Sequence, residues 1–390
     1  MTDAYLPKQG GIEVQVHDLA TRQLLAGHEV QVITCAPERG AAPAVTGAPP
    51  VHRLRIPWGR VRRTNALLHE HYRREHPDVV HAHLSVLSPL AILAVRAAHR
   101  EGVPVLVTLH SLWSYATPLY RLADVLLGWS HWRVHWGAVS ELAARPLRSV
   151  VRRRGEVTVL PNGVDPSTWA VEPVERDPAE VVVVSVMRLA ARKRPRALLA
   201  VVRSARAALP EHVRMRVIVV GEGPMRRRLA RDVRRSGLTD VVELVGRKER
   251  DQIRELYRRA DVYIAPAILE SFGIAALEAR CAGVPVIARR QTGIADFIHS
   301  GEHGLLASSD AGLADALVDL ASSPELRARM AQRNRECAPE TGWDDVLQRC
   351  ELAYKVAHEL TEPVPVRRGD LLRSRLRRRD RAEAGAATTR

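Results

Sequence analysis

Short apolar runs alternate with longer helical patterns along most of the chain. Strands are predicted, from β-branched runs bounded by Gly, Pro or Asp, at 28–34, 51–57, 78–83, 103–110, 156–161, 181–187, 213–221, 241–246, 261–266 and 284–288. Helical periodicity lies between them, for example at 12–26, 62–75, 86–100 and 140–150. Many strand runs are continuously apolar, which indicates burial on both faces. The pattern therefore predicts two consecutive doubly wound α/β domains.

Breaks in this pattern predict the domain organisation. Pro161-Asn162-Gly163 interrupts regular structure, which places one domain at 1–165 and a second at 166–342. A last helix is predicted at 343–360, and the basic segment 361–390 is predicted to be a disordered tail.

The beginning of the chain departs from a doubly wound domain. Such a domain opens with a buried strand that leads into a glycine loop. Here Gly10 and Gly11 follow only a polar stretch, so the first strand of the N-terminal domain is predicted to be missing and to leave unpaired edges. An unusual sheet edge, a strand supplied from elsewhere and a start codon assigned too far downstream would each explain this, and we favour the last.

Composition narrows the class of protein. The 390 residues are 46% hydrophobic, which excludes a mainly disordered chain. No apolar stretch reaches the roughly 18–20 residues that a membrane span needs. The four cysteines are far apart without a CxxC pair, which favours a reduced, cytoplasmic location over disulfides or a zinc site.

The formal net charge of +15 and the pI near 10.5 indicate an anionic partner. Nucleic acid, anionic lipid and phosphorylated small molecules all fit this charge. Much of the excess lies in the tail, where 367–390 carries nine arginines against three acidic residues. The chain has only two Phe and no RNA-binding aromatic platform, so nucleic acid is not the expected partner.

The strongest local motif runs from Glu270 to Glu278. It follows the predicted strand at 261–266 and opens a helix, so it lies at the carboxyl end of a parallel strand, where open α/β sheets bind ligands. The backbone N–H groups of Phe272, Gly273 and Ile274 can meet phosphate at the helix start. The two glutamates can accept hydrogen bonds from sugar and ribose hydroxyls, or they can merely complement the helix N-terminus.

Arg188 and Lys193 follow the strand at 181–187, and two cations at a strand end suit a diphosphate. A solvated basic loop is the plainer alternative. Gly10 and Gly11 form a weaker phosphate-loop signal, because they do not match GxGxxG.

Several other residues are weaker candidates. His110 follows a strand and could contact a sugar or relay a proton. Gly221 and Gly223 lie in a strand-to-helix turn, and His81 and His83 could bind metal but have no acidic partners at a suitable spacing. The sequence has no Asp-x-Asp pair to clamp a metal–diphosphate, so neither a metal nor another cofactor is expected.

Taken together, the ordered motifs resemble the retaining glycosyltransferases of family 4, which have the GT-B fold. The resemblance covers residues 5–360 and is carried by YLPKQGGIE with GHEV (5–30), VTLHS (107–111), LPNGVD (160–165), RLAARK (188–193), VVGEGP (219–224), VELVGR (242–247) and the Glu270–Glu278 block. Within the family, the chain is similar to phosphatidylinositol mannosyltransferases and phosphatidylinositol N-acetylglucosaminyltransferase-type enzymes.

The resemblance implies two Rossmann-like domains that face a cleft, with acceptor bound by the first and nucleotide sugar by the second. It implies that Glu270 holds sugar hydroxyls, Glu278 the ribose, and that His110 lines the sugar site. It places Gly246 and Arg247 near the base, and it implies that the helix at 343–360 returns to the first domain. The expected donor is a UDP- or GDP-sugar, and the expected acceptor is an envelope lipid or glycan.

Other functions remain open on the sequence alone. A basic polyanion-binding or scaffolding protein on a degenerate GT-B fold is the main alternative, and phosphorolysis or epimerisation of a nucleotide sugar is another. The basic segments 145–154 and 59–74 could rest on anionic lipid, at the inner face of the cell membrane, or could be solvated helix faces.

Overall fold

The computed structural model describes residues 1–7, 10–37, 47–54, 61–151, 156–174, 177 and 179–361. Its strands are β1 (Val32–Thr34), β2 (Val51–Arg53), β3 (Val80–Leu84), β4 (Val105–Leu109), β5 (His135–Ala138), β6 (Val157–Val159), β7 (Glu180–Val186), β8 (Arg214–Val220), β9 (Val242–Gly246), β10 (Val262–Ala265), β11 (Val286–Arg289) and β12 (Gly304–Ala307). Its helices are α1 (Gly11–Leu25), α2 (Val61–Glu75), α3 (Pro89–Glu101), α4 (Thr117–Leu127), α5 (Glu141–Val150), α6 (Pro166–Trp169), α7 (Pro195–Ala208), α8 (Arg226–Arg235), α9 (Arg250–Tyr257), α10 (Ile274–Cys281), α11 (Asp310–Ser322), α12 (Pro324–Glu336) and α13 (Trp343–Thr361). These elements form two Rossmann-like domains with parallel sheets, as the sequence predicts.

Thr2 occupies the central position of the first sheet. Strands β3 to β6 pair in chain order, β1 pairs with β2, and Thr2 bridges Thr34 of β1 and His83 of β3. The amide of Thr2 donates to the carbonyl oxygen of Ile33 at 3.0 Å. The amide of His83 donates to the carbonyl oxygen of Met1 at 2.9 Å. No strand is assigned within residues 1–7, but the prediction of unpaired edges there was wrong, because one buried residue pairs with both neighbouring strands.

The second sheet has the strand order β12-β11-β10-β7-β8-β9, and every pair is parallel. The order reverses between β7 and β10, and ligands of open α/β sheets bind at such a reversal, beyond the carboxyl ends of the strands. The core side chains Val181 to Val184 are all buried, as expected for a strand covered by helices on both faces.

Three elements were not predicted. Strand β5 contains Trp136 and Gly137, which weaken its β-branched signal, and β12 is only four residues long and begins at Gly304, a residue typical of turns. Helix α4 is rich in leucine, yet only Tyr120 is buried among its described side chains. It therefore lacks the ordinary division between a core face and a polar face.

Helix α13 returns the chain to the first domain. It contacts β4, β5 and α1, and its residues Trp343, Val346 and Cys350 form a buried cluster with Leu19. Val164 forms a bridge with Gly342, so the outgoing and returning segments lie side by side. Gly163 lies directly under the Trp343 ring, where a Cβ atom would be only 2.5 Å from the ring.

Candidate active site

Lys193 and Glu270 form an ion pair where the strand order of the second sheet reverses. Lys193 ends the 3₁₀ turn after β7, and Glu270 lies on the loop after β10. The Lys193 ammonium donates to the Glu270 carboxylate, and the two side chains are 20% and 16% exposed. The topology therefore brings together a cation and a carboxylate that are 77 residues apart, and both can still be reached from solvent.

Arg194 fixes the loop that carries Lys193. Its backbone is left-handed, with φ 57, a conformation that costs a non-glycine residue free energy. Its guanidinium donates to both carboxylate oxygens of Asp310 at 2.8 and 2.6 Å, and to the carbonyl oxygen of Pro266 at 3.2 Å. Arg289, at the end of β11, shares Asp310. These contacts tie the loops after β7 and β10 to the end of β11 and the start of α11.

Arg188 is exposed on the same loop as Lys193. The loop is supported by the turn that contains Gly221 and Gly223, since a Cβ atom on Gly221 would lie 1.9 Å from the carbonyl oxygen of Met187. A Cβ atom on Gly223 would lie 2.5 Å from that of Leu189. The two glycines thus allow close backbone packing beneath Arg188, and this contact accounts for them without any phosphate.

The N-termini of α10 and α1 face each other across the cleft. Gly273 caps α10 with φ 96, and its neighbour Phe272 is buried. The side chain of Ile274 lies 3.3 Å from where a Cβ atom on Gly11 would be. Both helices thus direct their N-terminal N–H groups and positive dipole ends toward this region, which favours an anion.

At the start of α1, the carboxylate of Glu13 folds over Gly10. A Cβ atom on Gly10 would lie 2.4 Å from a Glu13 carboxylate oxygen, so the glycine is required for this arrangement. Glu13 is buried, and a carboxylate is itself favourable in the first helical turn.

Glu278 lies half-buried on α10, within the electrostatic influence of an ion pair that crosses the cleft. That pair joins Arg250 of α9 to Asp18 of α1, at 2.6 Å. Burial raises the pKa of Glu278 to about 8, Arg250 opposes the shift and Asp18 adds to it. A carboxyl group in this condition can both donate to and accept from a hydroxyl.

Gly246 ends β9, which is separated from β7 by β8, and Arg247 follows it. Gly246 has φ 74, and the exposed Arg247 pairs with Glu249 at 3.3 Å. These two residues are therefore further along the sheet edge than Lys193 and Glu270, beside the turn at Gly221.

His110 is buried at the carboxyl end of β4, on the first-domain side of the cleft. Its Nε2 shares a 3.0 Å hydrogen bond with Nδ1 of His83, and its carbonyl oxygen accepts a 2.6 Å hydrogen bond from the Ser271 hydroxyl. Burial lowers the pKa of His110 to about 4, against an opposing hydrogen bond with Asn162. The ring is therefore neutral at physiological pH.

The histidine contacts continue to α13. The His83 ring lies against that of His81, with 4.1 Å between centroids and a tilt of 31°, and the Nδ1 of His81 lies 2.9 Å from the Tyr354 hydroxyl. Gln23 donates to that hydroxyl at 2.7 Å, so the Tyr354 proton is directed to His81, whose Nε2 donates to Thr108 at 2.8 Å. Burial lowers the pKa values of His81 and His83 well below the usual range.

The histidines on β3 are thus engaged in hydrogen bonds with protein groups. Among the described residues, the group whose ligand atoms could hold a metal ion is His299, Glu302 and His303, on the turn before β12. It does not include any predicted site residue, and the expectation that the enzyme needs no metal stays a prediction.

Sequence reasoning missed the residues that join the two halves of the cleft. The side-chain amide of Gln15 exchanges two hydrogen bonds of 2.8 Å with the backbone of Gly163, and Asp18 and Ser271 reach across as described above. Polar positions 15 and 18 on one helix were a weak signal, since their partners are more than 140 residues away.

Two doubly wound domains, with a cation–carboxylate pair and two helix N-termini at the cleft, define a glycosyltransferase of the GT-B class that acts on a nucleotide-sugar donor. Two family models agree with this. "Glycosyltransferase Family 4" matches residues 9–168, and "Glycosyl transferases group 1" matches residues 171–337. The chain belongs to the family 4 glycosyltransferases. The alternative of a polyanion-binding scaffold finds no support in these matches.

Individual relatives are more distant. The chain is 27% identical to the phosphatidylinositol N-acetylglucosaminyltransferase gpi3 subunit of Schizosaccharomyces pombe, over 91% of this chain and 79% of that protein. It is 28% identical to D-inositol 3-phosphate glycosyltransferase 2 of Catenulispora acidiphila, over 86% of this chain and 87% of that one. The crystal structure of Anabaena HepE in complex with UDP and glucose superposes with a TM-score of 0.72, at 20% identity, over 90% of this chain and 98% of that one.

Proposed function

We propose that the protein transfers a sugar from a UDP-sugar to a hydroxyl group of an inositol-containing acceptor, lipid-linked or free, with retention of anomeric configuration. The observation that carries the proposal is the Lys193–Glu270 pair at the strand-order reversal of the second domain. UDP is supported by the HepE complex, and the inositol acceptor by the names of the two relatives above. Retention rests on the family resemblance.

The chemistry requires stabilisation of a leaving diphosphate, on which negative charge develops in the transition state. Lys193 and Arg188 supply full positive charges, and the N–H groups around Gly273 and Gly11 supply aligned dipoles. When the donor binds, its diphosphate replaces Glu270 as the partner of Lys193. Glu270 is released to hold hydroxyl groups of the transferred sugar.

The remaining roles are those that the family resemblance implies, and the positions of the side chains are compatible with them. Glu278 binds the ribose, and Gly246 and Arg247 contact the base at the far end of the sheet edge. The neutral His110 ring lines the sugar site from the first domain, which binds the acceptor. No metal is required in this scheme, because protein cations and helix dipoles meet the diphosphate charge.

Among the described residues, no helix has both the length and the apolar character needed to cross a bilayer. We propose that the enzyme works at the cytoplasmic face of the membrane, where both a nucleotide sugar and a lipid headgroup are available. The acceptor hydroxyl would enter the cleft from the first-domain side.

A donor panel tests the proposal. Purified full-length protein is incubated with UDP- and GDP-sugars, with and without phosphatidylinositol in vesicles or inositol phosphate in solution. We expect UDP-sugar turnover that increases with one acceptor, and a product whose anomeric configuration matches the donor by NMR. Turnover of GDP-sugars alone would contradict the donor assignment, and an inverted product would contradict retention.

A further inference from the structure

We propose that one exposed face of α4, together with the adjacent Leu87, docks the protein onto an anionic membrane surface. This face, the α4 surface, consists of apolar side chains that are 81%, 63%, 56%, 80% and 76% exposed: Leu87, Leu119, Leu122, Val125 and Leu126. The four on α4 follow a spacing of three and four residues, so they share one side of the helix. Contiguous exposed apolar side chains of this kind mark interaction sites in soluble proteins.

The helix is held in place by its opposite side, so the exposure is a property of the fold. Tyr120 is buried, stacks on Trp113 with 3.8 Å between ring centroids, and donates to the carbonyl oxygen of Val86. Asp124 accepts a 2.7 Å hydrogen bond from the amide of Ser130. These contacts orient α4 with its apolar side chains directed outward.

Positive charge flanks the α4 surface. Arg121 is exposed beside it and donates to the carbonyl oxygen of Ser149 at 3.3 Å. On the neighbouring α5, the side chains of Arg145 and Arg148 are 71% and 42% exposed, against the single carboxylate of Glu141. An apolar helix face bordered by arginines matches the interfacial region of an anionic bilayer, with apolar side chains among acyl chains and cations at headgroups.

A groove beside the α4 surface can receive a lipid headgroup. It has a volume of about 430 Å³ between α4 and α5, and Arg121, His131 and Ser149 are among its lining residues. Asp124 also lines it, but the carboxylate is already hydrogen-bonded to the backbone. The groove therefore offers the Arg121 guanidinium to a phosphate, whereas the Ser149 hydroxyl already donates to the carbonyl oxygen of Pro146 at 2.7 Å.

The position of the surface connects it to the candidate active site. Leu87 follows β3, and α4 follows the segment that His110 begins after β4, so both lie at the carboxyl edge of the first sheet. A membrane on the α4 surface would thus present headgroups near the acceptor side of the cleft. The inference extends the proposed function, on whose lipid acceptor it rests, and it can fail independently.

The α4 surface is a better candidate than the segments that the sequence suggested. On α2 the exposed large apolar residues are Val61 and Leu67, which are six positions apart and form no continuous apolar face. Segment 145–154 supplies arginines but no comparable apolar face, and residues 152–155 lie outside the described part of the chain. Its arginines instead border the α4 surface.

Vesicle flotation of the full-length protein tests this. We expect wild type to float with phosphatidylglycerol-containing vesicles and to remain behind with pure phosphatidylcholine. The triple variant L122Q/V125Q/L126Q should lose ~10-fold or more of the bound fraction at fixed lipid. The matched control is L352Q/V356Q, which alters side chains on α13 that are 55% and 37% exposed.

A second variant, R121Q/R145Q, measures how much the arginine charges contribute to vesicle binding, separately from the apolar side chains. It should weaken binding to phosphatidylglycerol vesicles at low salt and flatten the salt dependence. Absence of wild-type binding, or equal binding by wild type and the triple variant, would overturn the proposal. A wild-type dimer that the triple variant converts to monomer would also overturn it, in favour of a second copy as the occupant.

Donor hydrolysis in solution keeps the two proposals distinct. The triple variant should hydrolyse the donor at the wild-type rate, because its substitutions lie outside the cleft. Vesicle binding without any donor turnover would contradict the proposed function and leave the α4 surface supported.

Discussion

The hydroxyl group of Ser271 donates a 2.6 Å hydrogen bond to the carbonyl oxygen of His110. One residue belongs to the Glu270–Glu278 block of the second domain and the other to the rim of the first, 161 positions away. The bond therefore joins the second domain to the first across the cleft.

Replacement of Ser271 by Ala should lower kcat/KM for transfer ~3–10-fold, because a neutral hydrogen bond contributes about 0.5–1.5 kcal/mol. Steady-state kinetics on the purified variant measures this. Ser322→Ala, on the exposed end of α11, is the matched control and should be neutral. A Ser271→Ala enzyme with wild-type kcat/KM would show that this contact does not contribute to the active arrangement.

Lys193→Gln and Glu270→Gln should each reduce turnover ~10²-fold or more, as expected for loss of a preorganised charge in the site. The neighbouring Arg192→Gln is the control, since Arg192 is exposed on the same turn. The rates come from released UDP under saturating donor. If Arg192→Gln were as inactive as Lys193→Gln, the loop as a whole rather than the Lys193 charge would be responsible.

Glu278 should make stability depend on pH. Its pKa is about 8 in the folded protein, raised by burial from the ordinary value of 4.5, so the folded state retains a proton that the unfolded chain releases. This group stabilises the folded state fully below pH 4.5. Its contribution to the free energy of unfolding then decreases progressively as the pH rises to about 8. As the pH rises from 4.5 to about 8, the melting temperature of wild type should therefore decrease relative to that of Glu278→Gln.

Thermal melts of both proteins across this range provide the measurement. Because the Gln side chain does not titrate, the difference between the two curves isolates the Glu278 carboxyl group. Parallel curves would contradict the raised pKa.

Tyr354→Phe should lower the free energy of unfolding by ~1–3 kcal/mol, since it leaves the half-buried Nδ1 of His81 and the amide of Gln23 without their common partner. Urea titration measures this. A double-mutant cycle with His81→Phe should show a coupling energy of ~0.5 kcal/mol or more between the two side chains. Additive effects would mean that the hydrogen bond between them contributes nothing to stability.

Local sequence patterns predicted much of the second domain, because its strands are long and apolar. They also placed Lys193 and Glu270 at strand ends, where parallel sheets bind ligands. The ion pair between these two residues forms because β7 and β10 are neighbours in the sheet, and a local sequence pattern does not predict which strands are neighbours. The contacts of Asp18, Ser271 and Gln15 across the cleft were missed for the same reason, since each is made with a residue of the other domain or of the segment between domains.

The first domain was harder to predict. Thr2 completes its sheet as a single residue, too short to produce a strand pattern, and β5 owes its place to burial between β4 and β6. The leucines of α4 look like core residues in the sequence, because apolar periodicity alone does not distinguish a face that packs on protein from one left exposed.

The chain passes between the two domains twice, at Val164 and at Gly342, and this affects how the domains can move. Two neighbouring backbone segments, bridged to each other and locked by Gln15 on one side and Trp343 on the other, resist both sliding and separation of the domains. We therefore expect the cleft to open by rotation about an axis through these segments. A substitution such as Gly163→Ala, whose Cβ atom would meet the Trp343 ring, should then disturb the axis of that rotation without touching the Lys193–Glu270 pair.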